Sequence, residues 1–164
     1  MSTATLYLPD AAATEAAGAR LARELGGGMI VTLSGDLGAG KTTLVRGCLR
    51  ALGWTGPVKS PSYPLVEHYP LSSLYFYHFD FYRFTDPSEW ETAGLTECFG
   101  PEAVCLIEWP ERVAGRLPRP DVELTLAYPA DPSASGRELA LSATTEDGER
   151  CLAAMMSVDP GAAP

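Results

Sequence analysis

Gly35-Asp36-Leu37-Gly38-Ala39-Gly40-Lys41-Thr42 is the stretch that decides how this chain is read. Two glycines five positions apart, then a lysine and a hydroxyl residue, form the pattern of a phosphate-binding loop. Glycine tolerates positive φ and lets the backbone come close to an anion. Successive N–H groups then curl into a nest, and the positive end of the following helix adds to it. In this pattern Lys41 reaches the β- and γ-phosphates of a nucleotide, and the Thr42 hydroxyl binds Mg²⁺. A chance match in a chain of 164 residues is on the order of one in a hundred.

The flanks meet the structural demands of the motif. Met29–Leu33 is an apolar run of strand length, of the kind buried on both faces of a sheet. A helix is predicted from Lys41 to Leu52, its buried face formed by Leu44, Val45, Cys48, Leu49 and Leu52, and Gly53 ends it. Upstream, Thr5–Leu8 reads as a short strand. Ala11–Leu25 reads as a helix with Ala13, Ala17, Leu21 and Leu25 along one face, stopped by Gly26-Gly27-Gly28. Downstream, residues 57–64 form a loop, and Leu65–Tyr69 and Leu74–Asp80 pair as strands. A short helix runs from Asp86-Pro87 to about Ala93, and Ala103–Glu108 is another buried strand. Val122–Tyr128 and Arg137–Ala143 alternate apolar with polar residues, as an antiparallel hairpin does. Residues 1–150 are thus expected to form a single α/β domain: a three-layer P-loop NTPase fold with a mixed, mainly parallel sheet and antiparallel hairpins. Residues 151–164, rich in small side chains, are expected to be a flexible tail.

Composition narrows the function. No apolar stretch is long enough to span a membrane, and the N-terminus lacks the pattern of a secretion signal, so the cytoplasm is the expected compartment. The four cysteines (Cys48, Cys98, Cys105, Cys151) show no metal-binding spacing and are expected to be buried, reduced thiols. A net charge of −9 and only two lysines, Lys41 and Lys59, argue against direct binding to DNA or RNA, which needs clustered cations against phosphates. The chain contains neither Asn nor Gln. A guanine-reading Asn-Lys-x-Asp motif and a water-positioning Gln are therefore both impossible. Water must be oriented by a carboxylate, a hydroxyl or the backbone.

Two carboxylates are placed for that work. Asp80 closes one predicted strand and Glu108 another, and ligands in open α/β sheets gather at the carboxyl ends of strands. His68 and His78 read as strand residues without metal partners at ligand spacing.

With these segments in hand, the chain resembles the TsaE (YjeE) family of bacterial P-loop ATPases over about Leu6 to Tyr128. The resemblance rests on Gly-Asp-Leu-Gly-Ala-Gly-Lys-Thr-Thr at 35–43, Ser-Pro-Ser-Tyr at 60–63, His-Phe-Asp-Phe-Tyr-Arg at 78–83 and Ile-Glu-Trp-Pro-Glu at 107–111. It implies a weak ATPase working with TsaB and TsaD in threonylcarbamoyladenosine modification of tRNA, with tRNA met only through those partners. It implies ATP and Mg²⁺ as cofactors, held by Asp36, Leu37, Gly38, Ala39, Gly40, Lys41, Thr42 and Thr43. Thr42 and Glu108 would be the Mg²⁺ ligands, and Asp80 the base or water-positioner. Trp109 would lie beside the nucleotide and Thr14 near its adenine, and the 60–63 block would sense the γ-phosphate through a hydroxyl. Two rival readings are a small metabolite kinase, with Arg112, Arg116 and Arg119 as its lid, and a nucleotide-dependent binding module in which turnover is incidental.

Overall fold

The computed structural model describes residues 1–61 and 64–157. The apolar run before the glycine loop becomes β2 (Ile30–Ser34), at the middle of a seven-stranded sheet. The order across that sheet is β1 (Ser2–Leu8), β7 (Arg137–Ala143), β6 (Val122–Ala127), β2, β5 (Ala103–Glu108), β4 (Tyr75–Asp80) and β3 (Val66–Pro70). The pairs β6–β2, β2–β5 and β5–β4 are parallel, while β1–β7, β7–β6 and β4–β3 are antiparallel. Five strands therefore run the same way, and only β3 and β7 oppose them. The mixed, mainly parallel sheet with antiparallel hairpins is as expected.

Side-chain parity sorts the sheet into two cores. Val31 and Leu33 of β2, Val104 and Leu106 of β5 and Phe76 of β4 face α1 (Ala11–Ala22), α2 (Lys41–Ala51) and α4 (Glu146–Met156). Ile30, Cys105, Ile107 and Phe79 face the opposite way, onto Trp90 of α3 (Glu89–Ala93), Leu95, Val113 and Phe84. The three layers are complete over β2, β5 and β4. Over β6, β7 and β1 the second face is open: Thr3, Thr5, Glu123, Thr125, Glu138 and Ala140 are exposed there, and the strands alternate accordingly.

The structure departs from expectation at the end of α1, at the C-terminal helix and at one cysteine. α1 stops at Ala22, with Arg23 as its cap, rather than reaching Leu25; Leu25 is still buried, packed by the turn that follows. The stretch expected to be a tail from residue 151 begins as helix instead, because α4 continues to Met156. Thr145 caps it by accepting from Gly148 N–H, and Cys151 and Met155 are fully buried where α4 packs on α1 and the sheet. Its small residues are those of a closely packed helix; residues 158–164 lie outside the described ones. Of the four free thiols, Cys48, Cys105 and Cys151 are buried, but Cys98 is only half-buried.

The crossing of α1 over α2 fixes where the glycine loop sits. Gly18 of α1 lies against the backbone of Leu44 and Cys48, and Gly47 of α2 lies against the backbone of Glu15. A Cβ at either position would stand well inside van der Waals distance of a carbonyl oxygen that cannot move without displacing a helix. Helix propensity alone predicts that Gly47→Ala stabilises by about 1 kcal/mol. Overpacking at a backbone contact reverses the sign, and a net loss of about 2 kcal/mol or more is expected in urea denaturation.

Candidate functional site

The strands β2, β4 and β5 are parallel neighbours, so their carboxyl ends open on one edge of the sheet. From the end of β2 the chain enters the loop through Gly35 (φ +148°), turns at Gly38 (φ +80°) and caps α2 with Gly40 (φ +105°). The first backbone bond of α2 runs from Leu44 N–H to Gly40 C=O. The N–H groups of Lys41, Thr42 and Thr43 therefore leave the helix start without intrahelical acceptors, and no side chain caps them. Such an end stabilises an anion.

Register brings the acids to this point. Asp80 and Glu108 are paired partners on β4 and β5, and Glu108 is also paired with Leu33 of β2. Both carboxylates are buried, and so is Lys41, at 6%, 3% and 7% exposure. The Lys41 ammonium donates to the Gly35 carbonyl, lies 3.7 Å from Glu108 Oε1 and sits 4.8 Å from the centre of the Trp109 ring. Asp80 Oδ1 accepts from Tyr82 N–H at 2.8 Å. Burial pushes the Asp80 carboxyl above its ordinary range, with nearby Glu108 adding to the rise; the Tyr82 N–H, His78 and Lys41 pull the other way.

Two hollows flank the loop and share Gly38, Gly40 and Thr43. One, of about 280 Å³, is lined by Leu37, Lys41, Thr42, Ser60, Asp80, Glu108 and Trp109. The other, of about 250 Å³, is lined by Ala39, Thr14, Arg137 and the Leu8–Ala11 turn. The loop residues Leu37 to Thr43 line these hollows with Asp80, Glu108 and Trp109 from the sheet edge and Thr14 from α1; the other loop residue singled out, Asp36, does not. Its side chain is exposed, and its carbonyl closes the loop by accepting from Ala39 N–H at 3.1 Å. Trp109 holds a left-handed backbone (φ +56°) and is half-buried, stacked near Tyr82 with ring centres 4.9 Å apart. Of the 60–63 block expected to sense the γ-phosphate, Ser60 lines the first hollow, and Ser62 and Tyr63 lie outside the described residues. Of the three arginines of the lid reading, Arg116 pairs with Glu91 at 2.8 Å and Arg119 donates to the Thr144 carbonyl, while Arg112 donates to the Phe84 carbonyl at 3.3 Å and lies 5.7 Å from the centre of the Trp109 ring.

Two residues escaped the sequence reading. His78, fully buried, places Nε2 2.6 Å from Glu108 Oε2. Its signal was parity: residues 76, 78 and 80 of one strand face the same side. Arg137 donates to the Ala39 carbonyl at 3.1 Å and the Gly38 carbonyl at 3.4 Å, with its guanidinium 4.2 Å from the centre of the Tyr128 ring. Carbonyl and N–H point oppositely across a trans peptide. Holding the Ala39 carbonyl outward therefore turns the Gly40 N–H inward, towards the nest. Arg137 begins a strand far along the chain from the loop, and no local pattern marks it.

The family profile described as "Threonylcarbamoyl adenosine biosynthesis protein TsaE" matches residues 8–138. A tRNA threonylcarbamoyladenosine biosynthesis protein TsaE of Haemophilus influenzae is 40% identical over 159 residues, covering 94% of this chain and 98% of that one. A Bacillus subtilis protein of the same name is 39% identical over 104 residues, 63% of this chain and 65% of its own length. The crystal structure of Bacillus subtilis YdiB matches with a TM-score of 0.78 at 28% identity, over 94% of each chain.

The raised Asp80 carboxyl predicts a pH-dependent stability difference. With its folded-state pKa above the unfolded one, ionisation of Asp80 favours the unfolded chain. The stability its protonated form contributes is complete below the unfolded pKa and lost as pH rises through the folded one. Asp80→Asn keeps the acceptor for Tyr82 and cannot ionise. Measured in EDTA, its melting temperature should therefore gain on the wild type as pH rises from about 4 to about 8; a gap that shrinks over that range would refute the assignment.

Proposed function

The chain belongs to the TsaE family of threonylcarbamoyl adenosine biosynthesis proteins, and from that premise we propose that it binds Mg²⁺–ATP across the Gly35–Thr43 loop and hydrolyses it slowly, as an accessory factor of TsaB and TsaD in tRNA threonylcarbamoyladenosine biosynthesis. The observation that carries this reading is the convergence of Lys41, Glu108 and Asp80 on one hollow in front of an uncapped helix start.

The donor set fits the metal. Thr42, Glu108 and Asp80 offer hard oxygen atoms, which Mg²⁺ prefers. Two buried carboxylates against one lysine leave the hollow one negative charge in excess, which a divalent cation offsets. Thr42 and Glu108 would hold the ion, whose chemistry there is to neutralise phosphate oxygens. Lys41 exchanges the Gly35 carbonyl for phosphate oxygens, and the N–H groups of Gly40 to Thr43 orient the rest. Asp80, with Oδ1 fixed by Tyr82, has Oδ2 to align the attacking water and take its proton. The new O–P bond forms as the bond to the leaving diphosphate breaks, and the proton passes on to phosphate. The Thr14 hollow takes the nucleoside end. The acidity of the chain, at −9, supports a role in which the partners hold the tRNA.

Lys41→Ala should lower ATP affinity by about a hundredfold, since it removes a charge-assisted contact and leaves Glu108 without its cation. Asp80→Ala should bind ATP within a few-fold of wild type yet lose turnover by about 10²-fold or more. Phosphate release, measured with and without TsaB and TsaD, should rise with the pair and stay flat in Lys41→Ala. A label transferred to an added metabolite instead would replace the ATPase reading with a kinase.

A further inference from the structure

We infer that His78 is a positioning residue for the metal site: it donates from Nε2 to Glu108 Oε2 and so turns the other carboxylate oxygen, Oε1, towards the hollow. The inference rests on the Mg²⁺–ATP reading above and adds to it a residue outside the hollow itself.

The geometry divides the Glu108 carboxylate in two. Oε2 lies 2.6 Å from His78 Nε2, and Oε1 lies 3.7 Å from the Nζ of Lys41, which lines the hollow with Thr42 and Asp80. A glutamate at the end of a strand has three side-chain torsions to restrain, and the single bond from behind fixes the last of them. Holding a ligating carboxylate by its outer oxygen is the way proteins set the aim of a metal ligand.

The environment of His78 shows that the residue is not there for packing. It stands in the middle of β4, with no exposed surface, between Phe76 and Phe79. Its Nδ1 is buried and has no hydrogen-bond partner, the one such side-chain nitrogen or oxygen found among the described residues. Burying a polar atom unpaired costs stability, and a phenylalanine or leucine would fill the position without that loss. What an apolar residue cannot do is donate to Glu108. The imidazole is retained at a position where core packing disfavours it, and its one bond goes to the carboxylate that faces the phosphate loop.

The test is Mn²⁺ binding to the full chain in the presence of ADP, followed by the loss of the free-ion EPR signal, so that hydrolysis is not needed as a readout. His78→Leu should weaken Mn²⁺ binding by about 10- to 100-fold while ADP affinity in EDTA stays unchanged. In His78→Gln the amide nitrogen falls near the place of Nε2, and binding should return to within about fivefold of wild type. In His78→Asn it falls near Nδ1, and binding should stay weak. Glu108→Gln should weaken the ion by itself, and His78→Leu on that background should weaken it no further, since His78 acts only through Glu108. Additive losses, or Gln and Asn behaving alike, would overturn the inference; so would wild-type affinity in His78→Leu. If His78→Leu does not fold, the Gln and Asn pair decides alone. Absence of ADP-dependent Mn²⁺ binding in the wild type would be a different result, and would discard the nucleotide–metal reading itself.

Discussion

Everything at the site depends on keeping two carboxylates and one ammonium together out of water. Asp80 and Glu108 cannot separate, because they are register partners on adjacent parallel strands, and Lys41 cannot leave, because it begins a helix packed on the same sheet. A buried charge without a partner costs several kcal/mol, and two like charges side by side cost more. The folded chain lowers this penalty locally: the ammonium stands between the Gly35 carbonyl and Glu108, a histidine holds the far side of Glu108, and a peptide N–H holds Asp80. The Asp80 pKa is still raised, chiefly by burial, with the Glu108 charge adding to the rise.

That arrangement needs a frame that does not give, and the glycines of α1 and α2 provide it. With Gly18 and Gly47 at the crossing the two helices touch backbone to backbone, so α1 is held where Thr14 lines the second hollow. Arg137 closes the loop from the other side, tying the carbonyls of Gly38 and Ala39 to the start of β7. The loop is thereby supported from both flanks by elements distant in sequence, and the open face of β6, β7 and β1 bears on none of these contacts.

The parts of this picture legible in the sequence are those encoded within a few residues. Glycine spacing marks the loop, period-four apolar residues mark α2, and strand-terminal acids mark Asp80 and Glu108. What was not legible depends on register or on distant contacts. His78 was passed over as a strand residue because its meaning lies in the alignment of β4 with β5, which puts it one same-face step behind Asp80 and beside Glu108. Arg137 lies 98 residues beyond Ala39, and nothing local announces their contact. The second half of α4 reads as a tail from residue 151 because Ala-Ala-Met-Met carries little periodicity; its helix is secured by the Thr145 cap and by the burial of Cys151 and Met155. Local chemistry survives translation into sequence, and pairing between segments does not.

For a chain of charge −9, the proposed binding of a polyphosphate raises an apparent conflict. Distance and screening resolve it. At physiological ionic strength the Debye length is about 8 Å, so acids on the far side of the molecule contribute little at the loop. The interactions that matter act within a few ångströms: the Lys41 ammonium, itself buried beside Asp80 and Glu108, and the N–H groups at the start of α2, where attraction is screened less than in open water. The global charge retards the approach of an anion without changing how it is held on arrival. It bears more heavily on long polyanions, which would lie along many acidic side chains at once. Under the proposed function, the loop takes a compact, metal-neutralised phosphate while the acidic surface disfavours a nucleic-acid backbone, so that one charge distribution would serve both selections.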